Sequence, residues 1–139
     1  KYPDVWVALR EDIQKARYEK SRLRGLDVDS LLRKMDEIMS LDRAYQDEDY
    51  SMPRFAAEIG ISLHQLSEIL NDRLGMTFYR YINRFRVGEA RELLRSEPDR
   101  PVLSVAFAVG FNSRSAFHRA FRKETGMTAA DFRRQSPPL

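Results

Sequence analysis

Apolar positions recur along this chain at three- and four-residue spacing almost from end to end, the period of an amphipathic helix and not of a strand. Trp6, Leu9, Ile13, Ala16 and Leu23 keep that spacing up to Gly25; Leu31, Met35, Ile38 and Met39 resume it, with Asp27 or Asp29 placed to cap the new helix. No stretch alternates convincingly with period two. Beyond the acidic, turn-like segment "YQDEDYS" the pattern predicts a short helix over 52–59, a turn at Gly60, a helix over 63–74 and a long helix over 78–95. After a break at "SEPDRP" come a short helix over 101–109, a turn at Gly110, a helix over 114–124 and a last helix over 129–134. "SPPL" reads as a tail. The predicted fold class is all-α.

Two of these stretches are copies of one pattern. "RFAAEIGISLHQLSEILNDRLGMT" and "SVAFAVGFNSRSAFHRAFRKETGMT" align with one extra residue after the second glycine. Ala56 then pairs with Ala106, Gly60 with Gly110, Ser62 with Ser113, Leu66 with Phe117 and Leu70 with Phe121. Both end in Gly-Met-Thr, at residues 75–77 and 126–128. This is the pattern of a helix-turn-helix. The alanine lets the first helix approach the second, and the glycine supplies a turn with positive φ. Ser62 with Gln65 matches a capping box, and Ser113 caps the other copy. Leu66, Ile69, Leu70 and Phe117, Ala120, Phe121 form the expected buried stripes. The long helix carries Phe78, Ile82, Phe85, Ala90 and Leu93 or Leu94 at helical spacing, so it packs against both copies and holds them apart at a fixed distance. Two recognition helices set about one DNA turn (roughly 34 Å) apart would enter successive major grooves on one face of a duplex.

Composition narrows the function classes. The chain has 139 residues and no cysteine, which removes zinc fingers, thiol chemistry and a disulfide framework. No apolar run approaches the roughly 18 residues of a bilayer span. The first residue is Lys1, so a piece of a longer polypeptide is expected. Net charge is only +3, but the basic excess sits in the last 40 residues, which hold seven basic and two acidic side chains, as a phosphate-binding surface requires.

The tandem pattern, the connecting "YINRFRVGEARELL" and above all "VAFAVGFNSRSAFHRAFRKETGMTAADFRR" resemble the C-terminal DNA-binding domain of AraC/XylS-family bacterial transcription regulators, over about residues 50–134. The resemblance implies a division into a helical connector at 1–49, a DNA-binding domain at 50–135 (first helix-turn-helix 52–75, linker helix 78–95, second helix-turn-helix 101–125, final helix 129–134) and a tail at 136–139. It implies double-stranded DNA as partner, RNA polymerase as a second contact, and a site in the bacterial cytoplasm at the nucleoid. Arg114, Ser115, His118 and Arg119 lie where family members place base and phosphate contacts, with Ser113 at the cap and Arg122 one turn on; the plain alternative is a solvated basic face. The equivalent set in the first copy is Leu63, His64, Gln65, Ser67, Glu68 and Asn71. Arginine grips guanine bidentately, and Glu68 can accept from cytosine N4 while repelling phosphate. The first copy is therefore expected to contribute selectivity and the second affinity. Two departures stand out: Ala129 replaces the usual proline, and Phe107 and Ala108 occupy positions that are more often polar in the family.

The segment from Tyr18 to Ala56 is also similar to what precedes this domain in members with a membrane sensor. That resemblance implies a missing N-terminal sensor, tethering of the whole protein at the inner membrane, and signalling or dimerisation by the N-terminal helices, without membrane contact by the present residues. Arg84, Arg86, Lys123, Arg133 and Arg134 are further candidates for phosphate contact or plain solubility. No catalysis, cofactor or metal is expected: no nucleophile has a neighbouring base, and His64 and His118 stand on separate helices without a carboxylate cluster. Trp6, Tyr18 and Tyr50 read as packing in preference to a ligand pocket, and Phe107 is expected to pack on a neighbouring helix. A helical protein-interaction module without DNA affinity is the alternative from a different functional class.

Overall fold

Six helices of the computed structural model, which describes residues 8–13, 23 and 25–136, begin where the sequence offers a side-chain acceptor for their orphan amides, whereas the helix after Pro101 begins without one. A helical segment at residues 8–13 (α1) comes first. Then follow α2 (Val28–Ser40), a 3-10 turn at Ala44–Gln46, α3 (Met52–Ile59) and α4 (Leu63–Glu68), which continues as a π turn at Ile69–Arg73. The rest is α5 (Phe78–Ser96), α6 (Val102–Ala108), α7 (Arg114–Thr125) and α8 (Ala129–Gln135). The fold is all-α, as expected. Trp6, Ala16, Tyr18 and residues 137–139 lie outside the described residues.

The caps are those the sequence marks. Asp27, not Asp29, caps α2, its Oδ1 accepting from the Ser30 amide at 3.1 Å. Ser51, Ser62, Thr77, Ser113 and Thr128 do the same for α3, α4, α5, α7 and α8, each satisfying a donor that the helix itself cannot. Gly60 ends α3 at φ 87°, in the left-handed region that glycine enters without strain. Ala129 is fully buried at the start of α8, where a helical first position accepts alanine in place of proline.

Buried residues fall into two clusters. The first joins Leu23, Met35 and Met39 to Phe55, Leu66, Ile69, Leu70 and Ile82, so α2 shares a core with α3, α4 and the start of α5. Its aromatic centre is Phe55, whose ring lies 5.9 Å from those of both Tyr50 and Tyr81. The second cluster joins Val87, Ala90 and Leu94 of α5 to Val105, Ala106, Val109, Phe117, Phe121 and Ala129. Each fully buried Leu, Ile or Phe contributes roughly 1.5–3 kcal/mol. The four-residue repeat along α5 thus feeds two cores in succession, Phe78 and Ile82 one, Ala90 and Leu94 the other.

The two copies differ at the end of their second helix. A single α-helix is expected over 63–74, but after Glu68 the backbone widens: Leu74 N donates to Ile69 O at 3.2 Å. The widened turn carries Leu74, partly buried against the first core. Its counterpart Thr125 instead donates its hydroxyl to Phe121 O at 2.7 Å within a regular α7.

Replacement of Phe55 or Phe117 by alanine is expected to cost about 3–5 kcal/mol of unfolding free energy, measured by urea denaturation. A loss under 1 kcal/mol at either position would contradict these two cores.

Candidate nucleic-acid interface

The first turn of α4 is fixed from both sides. Ser62 Oγ accepts from the Gln65 amide at 3.1 Å, and Gln65 Oε1 accepts from the Ser62 amide at 2.9 Å. Both halves of the expected capping box are formed. Gln65 is thereby half-buried with its carbonyl oxygen committed to the cap. Leu63 and His64 stand exposed ahead of it. Ser67 and Glu68 are half-buried, and the exposed Asn71 donates to Ser67 Oγ at 3.3 Å. Leu63, His64, Ser67 and Asn71 therefore share a side of the helix opposite Leu66, Ile69 and Leu70.

In α7 the cap is simpler, with Ser113 Oγ accepting from the Ala116 amide at 3.1 Å. Arg114, Ser115, Arg119 and Arg122 are exposed and His118 half-buried, with Phe117, Ala120 and Phe121 on the opposite, buried face. Arg114 Nε donates to His118 Nε2 at 3.4 Å. Arg114, His118 and Thr128 line a cleft among α6, α7 and α8, with Leu103 and Phe117 as its apolar wall. Among the described residues no side-chain hydrogen bond or close ion pair engages Arg119 or Arg122, although the Arg122 charge reaches Asp131. At α8, the Thr128 hydroxyl and Arg134 hold the Asp131 carboxyl below its ordinary range.

The remaining cations divide sharply. Arg86 is the one charged side chain buried among the described residues: Nε donates to Tyr45 O at 2.7 Å and an η nitrogen to Asp47 O at 3.0 Å. Arg133 donates to Leu94 O at 3.1 Å and Glu97 O at 3.3 Å, closing the C-terminus of α5. Both were candidates for phosphate contact or plain solubility, and the structure gives them another role, holding carbonyl oxygens of the fold. Arg134 pairs with Asp131. Arg80 and Arg84 lie 3.8 and 4.0 Å from Glu124 of α7, exposed pairs worth about 0–1 kcal/mol each. Lys123 is exposed.

Two other expectations meet the structure here. Tyr50 is buried, its hydroxyl donating to Glu58 at 2.7 Å, which agrees with packing. Burial and then the Glu58 contact push its pKa up. Phe107 does not pack on a neighbouring helix: it is 50% exposed, one turn from Leu103 at 42%. The reason is rotational, since Val105, Ala106 and Val109 already supply the buried side of α6 and its end. Among the described residues no group of three His, Asp or Glu side chains is placed to hold a metal, and no helix is long and apolar enough to cross a membrane.

Sequence reasoning missed Glu89 and the 43–47 segment. Glu89 accepts from Tyr45 Oη at 2.9 Å and from Gln46 Nε2 at 2.7 Å. The only signal was Arg86, a charge one turn from both Ile82 and Ala90 on an otherwise apolar stripe.

The helix-turn-helix domain family matches residues 55–135. The HTH-type transcriptional activator RhaS of Klebsiella pneumoniae (strain 342) is 38% identical over 78 residues, which are 56% of this chain and 28% of that protein. RhaS of Salmonella schwarzengrund (strain CVM19633) is 31% identical over 100 residues, 72% of this chain and 36% of that protein. The chain thus spans about a third of the length of these curated relatives. The C-terminal domain of AraT, a response regulator from Geobacillus stearothermophilus, has the same fold, with a TM-score of 0.66 at 24% identity over 86% of this chain and 92% of that one. An AraC-type transcriptional regulator structure from Chromobacterium violaceum gives 0.66 and 24% over 77% and 92%.

Ser62→Ala and Gln65→Ala are each expected to lower unfolding free energy by about 0.5–1.5 kcal/mol, whereas Gln65→Glu, which keeps the acceptor, retains most of it. Denaturant titration checks this; an unaffected Gln65→Ala protein would mean the box does not hold α4.

Proposed function

This chain belongs to the AraC-type helix-turn-helix family of DNA-binding transcription regulators, and from that membership we propose that it reads two successive major grooves of one duplex with α4 and α7. The observation that carries the reading is the pair of capped helices whose outer faces stay exposed while their inner faces are buried in two cores sharing α5. A groove-reading helix needs that combination: a rigid inner face and a polar outer one.

Arg114 is the base reader of the second copy, its guanidinium suited to guanine O6 and N7 once it leaves His118. Ser115, His118 and Arg119 extend the same face, and Arg122 neutralises phosphate. Ser113 and Gln65 act by presenting the helix N-termini, whose amides attract phosphate. In the first copy Leu63 meets a thymine methyl, and His64, Ser67 and Asn71 bond base edges. Glu68 favours cytosine and disfavours close phosphates, so this copy selects and the second binds.

Residues 50–135 act as the DNA-reading unit and residues 1–49 as the connector that brings in a signal, with α2 seated in the first core. The output is contact with RNA polymerase, and activation is the sign we assign, after the RhaS relatives named as activators. The site of action is the bacterial nucleoid, with a sensor domain preceding the connector, tethered at the inner membrane, and two copies brought together through the N-terminal helices. The reading requires no catalysis.

Selection of duplexes from a random pool by the purified chain, followed by salt titration, tests this. One asymmetric site of about 20 base pairs is expected, with affinity falling steeply as salt rises. Arg114→Ala should relax preference at one position by about 1–3 kcal/mol, while Arg122→Ala should weaken all sequences alike and reduce the salt slope by about 1. Absence of enrichment at low salt, with salt-insensitive capture of a protein partner instead, would replace the reading with that of an interaction module.

A further inference from the structure

Two recognition helices read one site only if the angle between them is fixed, and α5, packed into both cores, is one element that fixes it. Beside that packing, α5 meets α7 through Arg80 and Arg84, which lie 3.8 and 4.0 Å from Glu124. A second connection exists. The 3-10 turn at Ala44–Gln46 lies along α5 as a strap, with Tyr45 buried in the first core and its ring 6.1 Å from Phe85.

The strap also reaches the second helix-turn-helix. Gly110, the turn residue between α6 and α7, sits at φ 113° so close to the strap that a Cβ there would overlap the Tyr45 carbonyl oxygen and come within 2.8 Å of Arg86 Nε. That same carbonyl accepts from Arg86. The Arg86 guanidinium lies 5.6 Å from the ring centroid of Phe111, a residue of the second core. One side chain of α5 thus touches the strap, the turn and the second core. One turn further along α5, Glu89 accepts from both Tyr45 and Gln46 and lies 3.5 Å from Arg43. Arg43 holds the left-handed backbone, φ 52°, that starts the strap, a conformation that persists only when its surroundings enforce it.

We propose that Arg86 and Glu89 are positioning residues: by clamping the 43–47 strap between α5 and the Gly110 turn, they set the angle between the recognition helices and hence the half-site spacing that the protein accepts. The spacing part rests on the DNA-reading function proposed above; the angular part does not.

The chain has no cysteine, so Ala57→Cys in α3 and Ala130→Cys in α8, both exposed, carry spin labels as its only thiols. The distance distribution between them is measured without DNA in the otherwise unchanged chain, in Glu89→Ala, and in a Tyr45→Phe/Gln46→Ala double variant, which removes the strap's donors and leaves α5 untouched. Hydrogen exchange confirms that both cores stay closed. A narrow distribution that broadens or splits in the variants is the expected result; an unchanged distribution in both overturns the proposal, whatever happens with DNA. With unlabelled protein, lengthening the selected site by two base pairs should cost the parent about 100-fold in affinity, as the second half-site is lost to rigid geometry. The variants should lose about tenfold or less, with binding to a single half-site unchanged. Equal spacing discrimination in parent and variants overturns the spacing assignment. If the parent binds no duplex, the DNA reading fails, and the label distances still decide the role of the strap.

Discussion

A helix can bury one stripe of side chains, and in this chain one stripe has to serve two cores. The first turns of α5 place Phe78 and Ile82 among Phe55, Leu66 and Leu70, and its last turns place Ala90 and Leu94 among Val105, Phe117 and Phe121. Everything else follows from that sharing. The two helix-turn-helix units have separate interiors, yet neither is free of the other, because each needs part of α5 to close. The crossing point is Arg86, where an apolar residue would continue the stripe and a buried guanidinium stands instead, its donors met by the carbonyls of Tyr45 and Asp47. Burial lowers its pKa while Asp47 and Glu48 work in the opposite direction. A buried charge is tolerable only when paired and hydrogen-bonded in this way, so the partner segment at 43–47 is an obligatory part of the structure around it.

The two copies solve one geometric problem with different chemistry. The first helix of one copy ends at Gly60 and that of the other at Val109, with Gly110 at positive φ one residue on, and both second helices start at a capping serine. The first copy adds Gln65 to make a reciprocal box, then widens into a π turn; the second stays regular to Gly126. Their outer faces differ as well. Arginines project from α7 at positions 114, 119 and 122, whereas α4 presents Leu63, His64 and Asn71. A repeat can keep its inner face, which packing constrains, while its outer face diverges.

What the sequence by itself determined is considerable, for a physical reason. Helix positions, caps and turns are local: Ser62 with Gln65, Ser113, and the glycines at 60 and 110 act within a few residues of themselves, and periodicity names the buried face directly. The all-α class, the tandem repeat and the exposed side of both second helices were therefore legible, as were the buried pairs Leu66 and Phe117, Leu70 and Phe121. What only the tertiary structure decided is which polar groups are already spent. Arg86 and Arg133 look like any surface arginines until the backbone carbonyls of residues 45, 47, 94 and 97 are brought to them. Phe107 looks like core until the rotation of α6 has filled its inner face with Val105 and Ala106. Glu89 gains its meaning from a turn more than 40 residues away. Such pairings depend on where distant backbone comes to rest, and that is settled by the packing of the two cores, which no local pattern encodes.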